Sequence, residues 1–284
     1  MGHKIGKDED VGAALIRLVR DDLAAARAGL RGNGGAARRI HRARQRLKRA
    51  RSLLKVLKPA LGPNALTAKT KIRAAARLLA GARDADAAAA SARGLRAEAG
   101  AENGASLDRL VTAMSREATA KHARTPSMAT AAALISDAEF SLAGLNGSIA
   151  GVDLLDRAIA KSFREGSRAL RCAEDSLAMP DLHRWRKEVK HLWHLLRLSR
   201  KRLPARANKL AGKLEKLGHI LGVDHDHAIL ASKLANGPSG EPTLTRRFAL
   251  IARKRRALEA EAFALGDRFY GKSPKRFARR LNIS

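Results

Sequence analysis

His41, Arg44, Lys48, Arg51 and Lys55 recur at steps of three and four residues. On a helix such spacing makes one line of cations, a rung per turn and about 5 Å apart along the axis. The line has almost no internal counter-charge: between Asp22 and Asp84 there is no Asp or Glu, while the interval carries seventeen Lys and Arg. Like charges one turn apart repel by a few tenths of a kcal/mol per pair. The ladder is therefore expected to take its negative charge from outside the chain. Arginine offers a planar fork that pairs with two phosphoryl oxygens, and lysine a mobile point charge. A string of anions repeating at about one charge per rung suits that geometry.

The ladder needs a helix with an apolar side. Within 38–58 (RRIHRARQRLKRARSLLKVLK), Ile40, Ala43, Leu47, Ala50, Leu54 and Leu57 fall in the sector beside the cations and predict the buried stripe. A first helix is expected over about 8–30, with Val11, Leu15, Leu18, Val19 and Leu23 inward and acids in its first turn. Pro59 and Gly62-Pro63 end the basic helix. A further helix over about 64–79 puts Leu66, Ile72, Leu78 and Leu79 toward a core and Lys69, Arg73 and Arg77 on another face. Asp84 in GARDADA is placed to cap a new helix. The Ala-rich stretch at 85–101 is weakly specified, helices follow at about 105–124 and 127–143, and GLNGSIAG at 144–151 reads as a linker. Leu155, Ile159, Phe163 and Leu170 then mark an amphipathic helix from Val152, and a long basic helix covers about 243–265.

A shift of 142 residues lays LHRWRKEVKHLWHLLRLSRK, from Leu182, on IHRARQRLKRARSLLKVLKP, from Ile40. His41 meets His183, Arg42 meets Arg184, Arg44 meets Arg186, Lys48 meets Lys190, Lys55 meets Arg197 and Trp193 replaces Arg51. The register persists to Leu79 on Leu221 and Asp84 on Asp226. An internal repeat of this length predicts an all-α protein of two helical bundles related by a pseudo-twofold, 8–145 and 152–282. The basic positions of both halves form the candidate set: His41, Arg42, Arg44, Lys48, Arg51, Lys55, Lys69, Arg73, Arg77 and Arg83 in the first, and His183, Arg184, Arg186, Lys187, Lys190, Arg197, Lys213 and Lys216 in the second.

Composition narrows the classes. Forty-five per cent of residues are hydrophobic but only 3% aromatic, which with abundant Ala favours packed helices over sheets. A net charge of +30 makes the partner anionic: nucleic acid, polyphosphate, inositol phosphates or an acidic membrane. The single Cys172 permits no internal disulfide and is expected to be a small buried residue in a reducing cytosol. No run of about 18 apolar residues suggests a membrane span, and MGHKIGKDED lacks the apolar stretch of a signal peptide. His225 and His227 in DHDH, with His191, His194 and His219, invite a metal reading; spacing of two on a helix separates the imidazoles, so Asp224 or Asp226 capping a helix is the simpler role. The cluster at 253–256 serves either solubility or ligand contact. No GxxxxGK[ST] loop and no nucleophile with an oriented base are evident, so catalysis is not expected, an unrecognised phosphatase or polyphosphate-handling activity being the residual alternative. Neither a cofactor nor a metal is called for.

The paired segments IHRARQRLKRARSLL with GARDADA, and LHRWRKEVKHLWHLL with LGVDHDHAIL, resemble the CHAD domain, a histidine-bearing α-helical domain. That resemblance implies two symmetry-related four-helix bundles with a basic surface and central channel, binding of inorganic polyphosphate, and a cytoplasmic location at polyphosphate granules, where granule-associated proteins would be further partners. It also implies that His41, Arg44, Lys48 and Arg51, with His183, Arg186 and Lys190, touch the ligand. Phe163 stands where the family leads one to expect tyrosine, and no acidic strand motif of a fused triphosphate-tunnel domain occurs. Histidine among arginines is biased to the neutral form until phosphate arrives, so affinity is expected to rise as pH falls from about 8 to 6 through His41 and His183. Nucleic acid is the rival partner, but sequence-tolerant single-strand binders stack bases on aromatic platforms, and two Trp and one Tyr supply few.

Overall fold

The computed structural model describes residues 4–98, 104–124, 128–143, 151–235 and 242–283, and the regular structure among them is entirely helical. The first half comprises α1 (Val11–Arg31), α2 (Ala36–Leu78), α3 (Ala80–Glu98), α4 (Gly104–Arg124) and α5 (Met128–Ser141). The second comprises α6 (Gly151–Ser176), α7 (Met179–Leu198), α8 (Arg206–Ala235), α9 (Pro242–Tyr270) and α10 (Pro274–Leu281). The stretch 144–150, read as a linker, lies outside the described residues.

α2 is two helices joined at a sharp kink. Gly62 there adopts φ 55° and ψ −145°, a backbone that residues with a Cβ rarely take, and Pro59 and Pro63 flank it. The arms run antiparallel, as the bond from Arg44 Nη1 to the Ala76 carbonyl (2.7 Å) shows. Every residue of the basic helix's apolar stripe is buried. α1, the two arms of α2 and α5 make one bundle of four segments, and α6, α7, α8 and α9 make the other, closed by α10. In the second, Phe163 stacks on Phe277 at 4.1 Å and sits 5.2 Å from Tyr270, while Trp185 stacks on Phe263 at 5.6 Å. Gly266 permits that last stack, since a Cβ there would lie 2.6 Å from Trp185 Cζ2.

At the offset of 142, α1 falls within α6, the first arm of α2 on α7, the second arm with α3 on α8, α4 within α9 and α5 on α10. The first half breaks at Leu79, where α8 runs unbroken, and its bundle takes α5 as fourth segment, whereas α9, the counterpart of α4, fills that place in the second. The break turns the α3–α4 hairpin onto the other half. Ala88, Ala92, Leu95, Leu107 and Leu110 share a small core with Leu230, Leu234 and Ile251, and ion pairs Lys233–Glu117 and Lys254–Glu98 tie the same elements. The N-terminal segment also bridges the halves, with Ile5 N donating to Leu198 O at 3.1 Å and Arg202 Nη1 to Lys7 O at 3.0 Å.

Several sequence expectations need correction. α1 begins at Val11, so the acids precede it; Asp10 caps it by accepting from Ala13 N at 2.7 Å, and Glu9 receives Arg17. Asp84 and Asp226 cap nothing, because α3 already starts at Ala80 and α8 passes straight through 224–226. Leu66 is 62% exposed, and Cys172 is exposed on α6 rather than buried.

Candidate anion-binding surface

With its apolar stripe buried, the first arm of α2 turns its cations outward. His41, Arg42, Lys48, Arg51 and Lys55 are exposed and Arg44 is half-buried. The antiparallel second arm brings a second row beside them, with Arg73 and Arg77 exposed and Lys69 partly so. Arg51 lies near Arg73; burial and then that neighbouring charge lower its proton affinity. Like charges that lower each other's proton affinity store repulsion that an anion bound beside them would relieve. Arg44 instead answers Ala76, one of the carbonyls left without a helical partner in the last turn of α2.

α7 repeats the device against α8. His183, Arg186, Lys190, Trp193 and Arg197 form its ladder, and the stems of Arg186 and Lys190 lie over Gly222 and Gly218 of α8. A Cβ on Gly222 would lie 3.5 Å from Arg186 Nη2, and one on Gly218 would lie 3.5 Å from Lys190 Cγ. Burial and then Arg186 lower the pKa of Lys190, with Glu215 and Asp226 opposing. The His183 ring tilts on that of His225 at a centroid distance of 4.5 Å. Burial, then the charges of Lys187, His225, Arg186 and Lys48, push His183 down to about 4. Lys48 belongs to the first half, so the two ladders approach each other at this point.

Other cations already have partners. Lys55 Nζ pairs with Glu165 at 2.9 Å and Glu188 at 3.1 Å, spanning from α2 to α6 and α7. Against the cost of burial, these carboxylates raise the Lys55 pKa; burial raises Glu188 while the bond to Lys55 holds Glu165 down. Arg46 and Arg49 share the fully buried Asp22 at 3.0 and 3.3 Å. Arg184 pairs with Asp181 at 3.6 Å, Arg197 with Glu215 at 3.5 Å and Lys216 with Glu261 at 2.8 Å. The expectation that all counter-charge comes from outside thus fails at these positions: acids distant in sequence return to the basic helix through the fold. Lys187 and Lys213 are exposed, and the Arg83 side chain lies outside the described residues.

The CHAD domain family model matches residues 14–235. The chain belongs to the CHAD domain family. That family is associated with polyphosphate binding, and its domain is not known as catalytic by itself. The crystal structure of the CHAD domain from the plant Ricinus communis superposes with a TM-score of 0.58 at 16% identity, covering 96% of this chain and 94% of that one. This likeness carries the fold. A search of curated proteins gives no match.

Within this CHAD fold the remaining histidines divide by surroundings. His191 Nδ1 lies 2.6 Å from Ser52 Oγ, a link between the halves, and burial followed by Lys55 pushes it down to about 3. His227 Nδ1 donates to the Val223 carbonyl at 2.9 Å, His194 is buried and His219 exposed. Among the described residues no three His, Cys, Asp or Glu converge as metal ligands, and no helix is long and apolar enough to cross a membrane. Asp224 is buried and receives Arg255 Nε at 2.8 Å, and Lys254 pairs with Glu98, so two members of the 253–256 cluster are engaged in the fold, while Arg253 and Arg256 are exposed. Sequence reasoning passed over Glu165, Glu188 and Ser52, whose partners lie over a hundred residues away. It also passed over Gly218 and Gly222. Their counterparts at the offset, Ala76 and Ala80, are small as well.

Proposed function

We propose that the chain is a non-enzymatic binding protein for inorganic polyphosphate, held along the two cation ladders and the channel between the halves, and that it acts in the cytoplasm at polyphosphate granules. The observation that carries this reading is the exposed cationic face of α2, where Arg51 and Arg73 come near enough to lower the proton affinity of Arg51 and Lys48 acts in the same way on His183 of the second half. A flexible phosphate polymer satisfies such a face without any base to read, and binding by counterion release makes its strength fall steeply with salt. The candidate residues at this face are His41, Arg44, Lys48, Arg51, Lys69, Arg73 and Arg77, with His183, Arg186, Lys187 and Lys190 opposite.

Retention of labelled long-chain polyphosphate on a filter, measured against salt, tests the reading. The R51E/R73E double variant is expected to lose at least about tenfold in affinity and to show a shallower salt slope. Unchanged retention by that variant refutes the assignment. DNA added at equal phosphate concentration is expected to compete poorly, and efficient displacement by it would favour nucleic acid as the partner.

A further inference from the structure

The two ladders are not equivalent at one rung. The first half places Arg51 near Arg73; the same positions in the second half are Trp193 and Glu215. Between these two lies Arg197, its guanidinium carbon 5.1 Å from the Trp193 ring centroid and its Nη1 3.5 Å from Glu215 Oε1. Lys190 Nζ approaches the same ring at 6.0 Å. A pair of like charges has thus been exchanged for an aromatic surface, a carboxylate, and an arginine whose charge that carboxylate answers. The rung gains no attraction for phosphate from this exchange; it gains a flat ring beside a row of phosphate-binding cations.

We propose that this rung is a nucleobase subsite, so that the second-half ladder takes a nucleoside polyphosphate. The base slides between the Arg197 guanidinium and the Trp193 indole, and the phosphates run along Lys190 and Arg186. Trp193 packs against the core below, which fixes the ring, while the Arg197 side chain is 52% exposed and free to lift over an entering base. Stacking on an aromatic ring with a guanidinium above is indifferent to which base arrives, because every base has a π-face. The inference rests on the phosphate-binding reading of the ladders and adds a ligand to it.

Calorimetry on the full chain at fixed ionic strength, with ATP and inorganic tripolyphosphate as probes, tests it. Tripolyphosphate carries the greater charge, so electrostatics alone orders it first. A stacked base reverses the order, and ATP is expected to bind about tenfold more tightly. The W193L variant should bring ATP down to the tripolyphosphate level while leaving tripolyphosphate within about twofold, and W193R, which restores the first-half rung, should favour tripolyphosphate. A wild-type measurement guards against a misfolded variant. Trp185 is fully buried, so iodide quenching of tryptophan emission reports Trp193, and ATP but not tripolyphosphate should protect it. ATP binding no tighter than tripolyphosphate, or an ATP advantage that survives both substitutions, overturns the proposal. If long-chain polyphosphate is retained while ATP gains nothing, only this subsite is lost; if neither ligand binds, the ladder reading falls with it.

Discussion

Replacing His183 with Gln should remove an acid-side gain in polyphosphate affinity. In the free protein burial and four neighbouring groups, Lys187, His225, Arg186 and Lys48, push His183 down to about 4 from an ordinary 6.5. Bound phosphate cancels those charges and favours the imidazolium. If it restores the ordinary value, the bound protein takes up a proton below pH 6.5 that the free protein takes up only near pH 4. Affinity therefore gains nothing from this group above about pH 7, rises as pH falls through 6.5, and levels off below 4. This window lies lower than the 8-to-6 interval expected from the sequence, because the fold desolvates the ring. Full restoration corresponds to about thirtyfold at pH 5 relative to pH 7.5; His183 is only half-buried, solvent already screens part of the repulsion, and about tenfold is the expected gain. Polyphosphate titrations at constant ionic strength from pH 7.5 to 5, on wild type and H183Q, measure it. A wild-type profile flat over this range, or one unchanged in H183Q, refutes the reasoning. His191, at about 3, shares the window but acts on folding: the unfolded chain binds its proton first, so stability declines as pH falls below about 6.5, and circular dichroism separates that effect from affinity.

Lys55→Met should leave the half-buried Glu188 beside Glu165 without its cation, lowering stability by about 1–3 kcal/mol in urea unfolding; adding E188Q should recover part of the loss. Polyphosphate affinity should change far less in K55M than in R51E/R73E, since Lys55 already holds two carboxylates. Gly266→Ala should drive a methyl into Trp185 and cost about 1–3 kcal/mol, read as a lower melting temperature with the polyphosphate salt slope unchanged.

Periodicity carried most of the architecture. The apolar stripes of α1, the first arm of α2 and α6 are buried as their spacing requires, since the spacing of apolar residues along a helix sets its inward face. At the 142-residue offset α7 falls on the first arm of α2, and both bury an apolar stripe beside their cations. What spacing cannot convey is which distant groups meet. Lys55 looked like one more phosphate rung because its acids lie on α6 and α7, and nothing in the spacing told that Arg46 and Arg49 close over Asp22. Asp84 and Asp226 have good capping chemistry, but tertiary packing extends the helices past them. Leu66 faces solvent because the buried stripe of the second arm runs through Ala65, Ala68, Ile72, Ala75 and Leu79, one position off the leucine.

The seating of the α3–α4 hairpin across the molecular midline bears on how the whole protein comes apart. Ala88, Leu95 and Leu107 find their neighbours in Leu230 and Ile251, so neither repeat owns a complete interior. Halves that share an interior in this way are expected to unfold together, which calorimetry of the full chain reads as one transition.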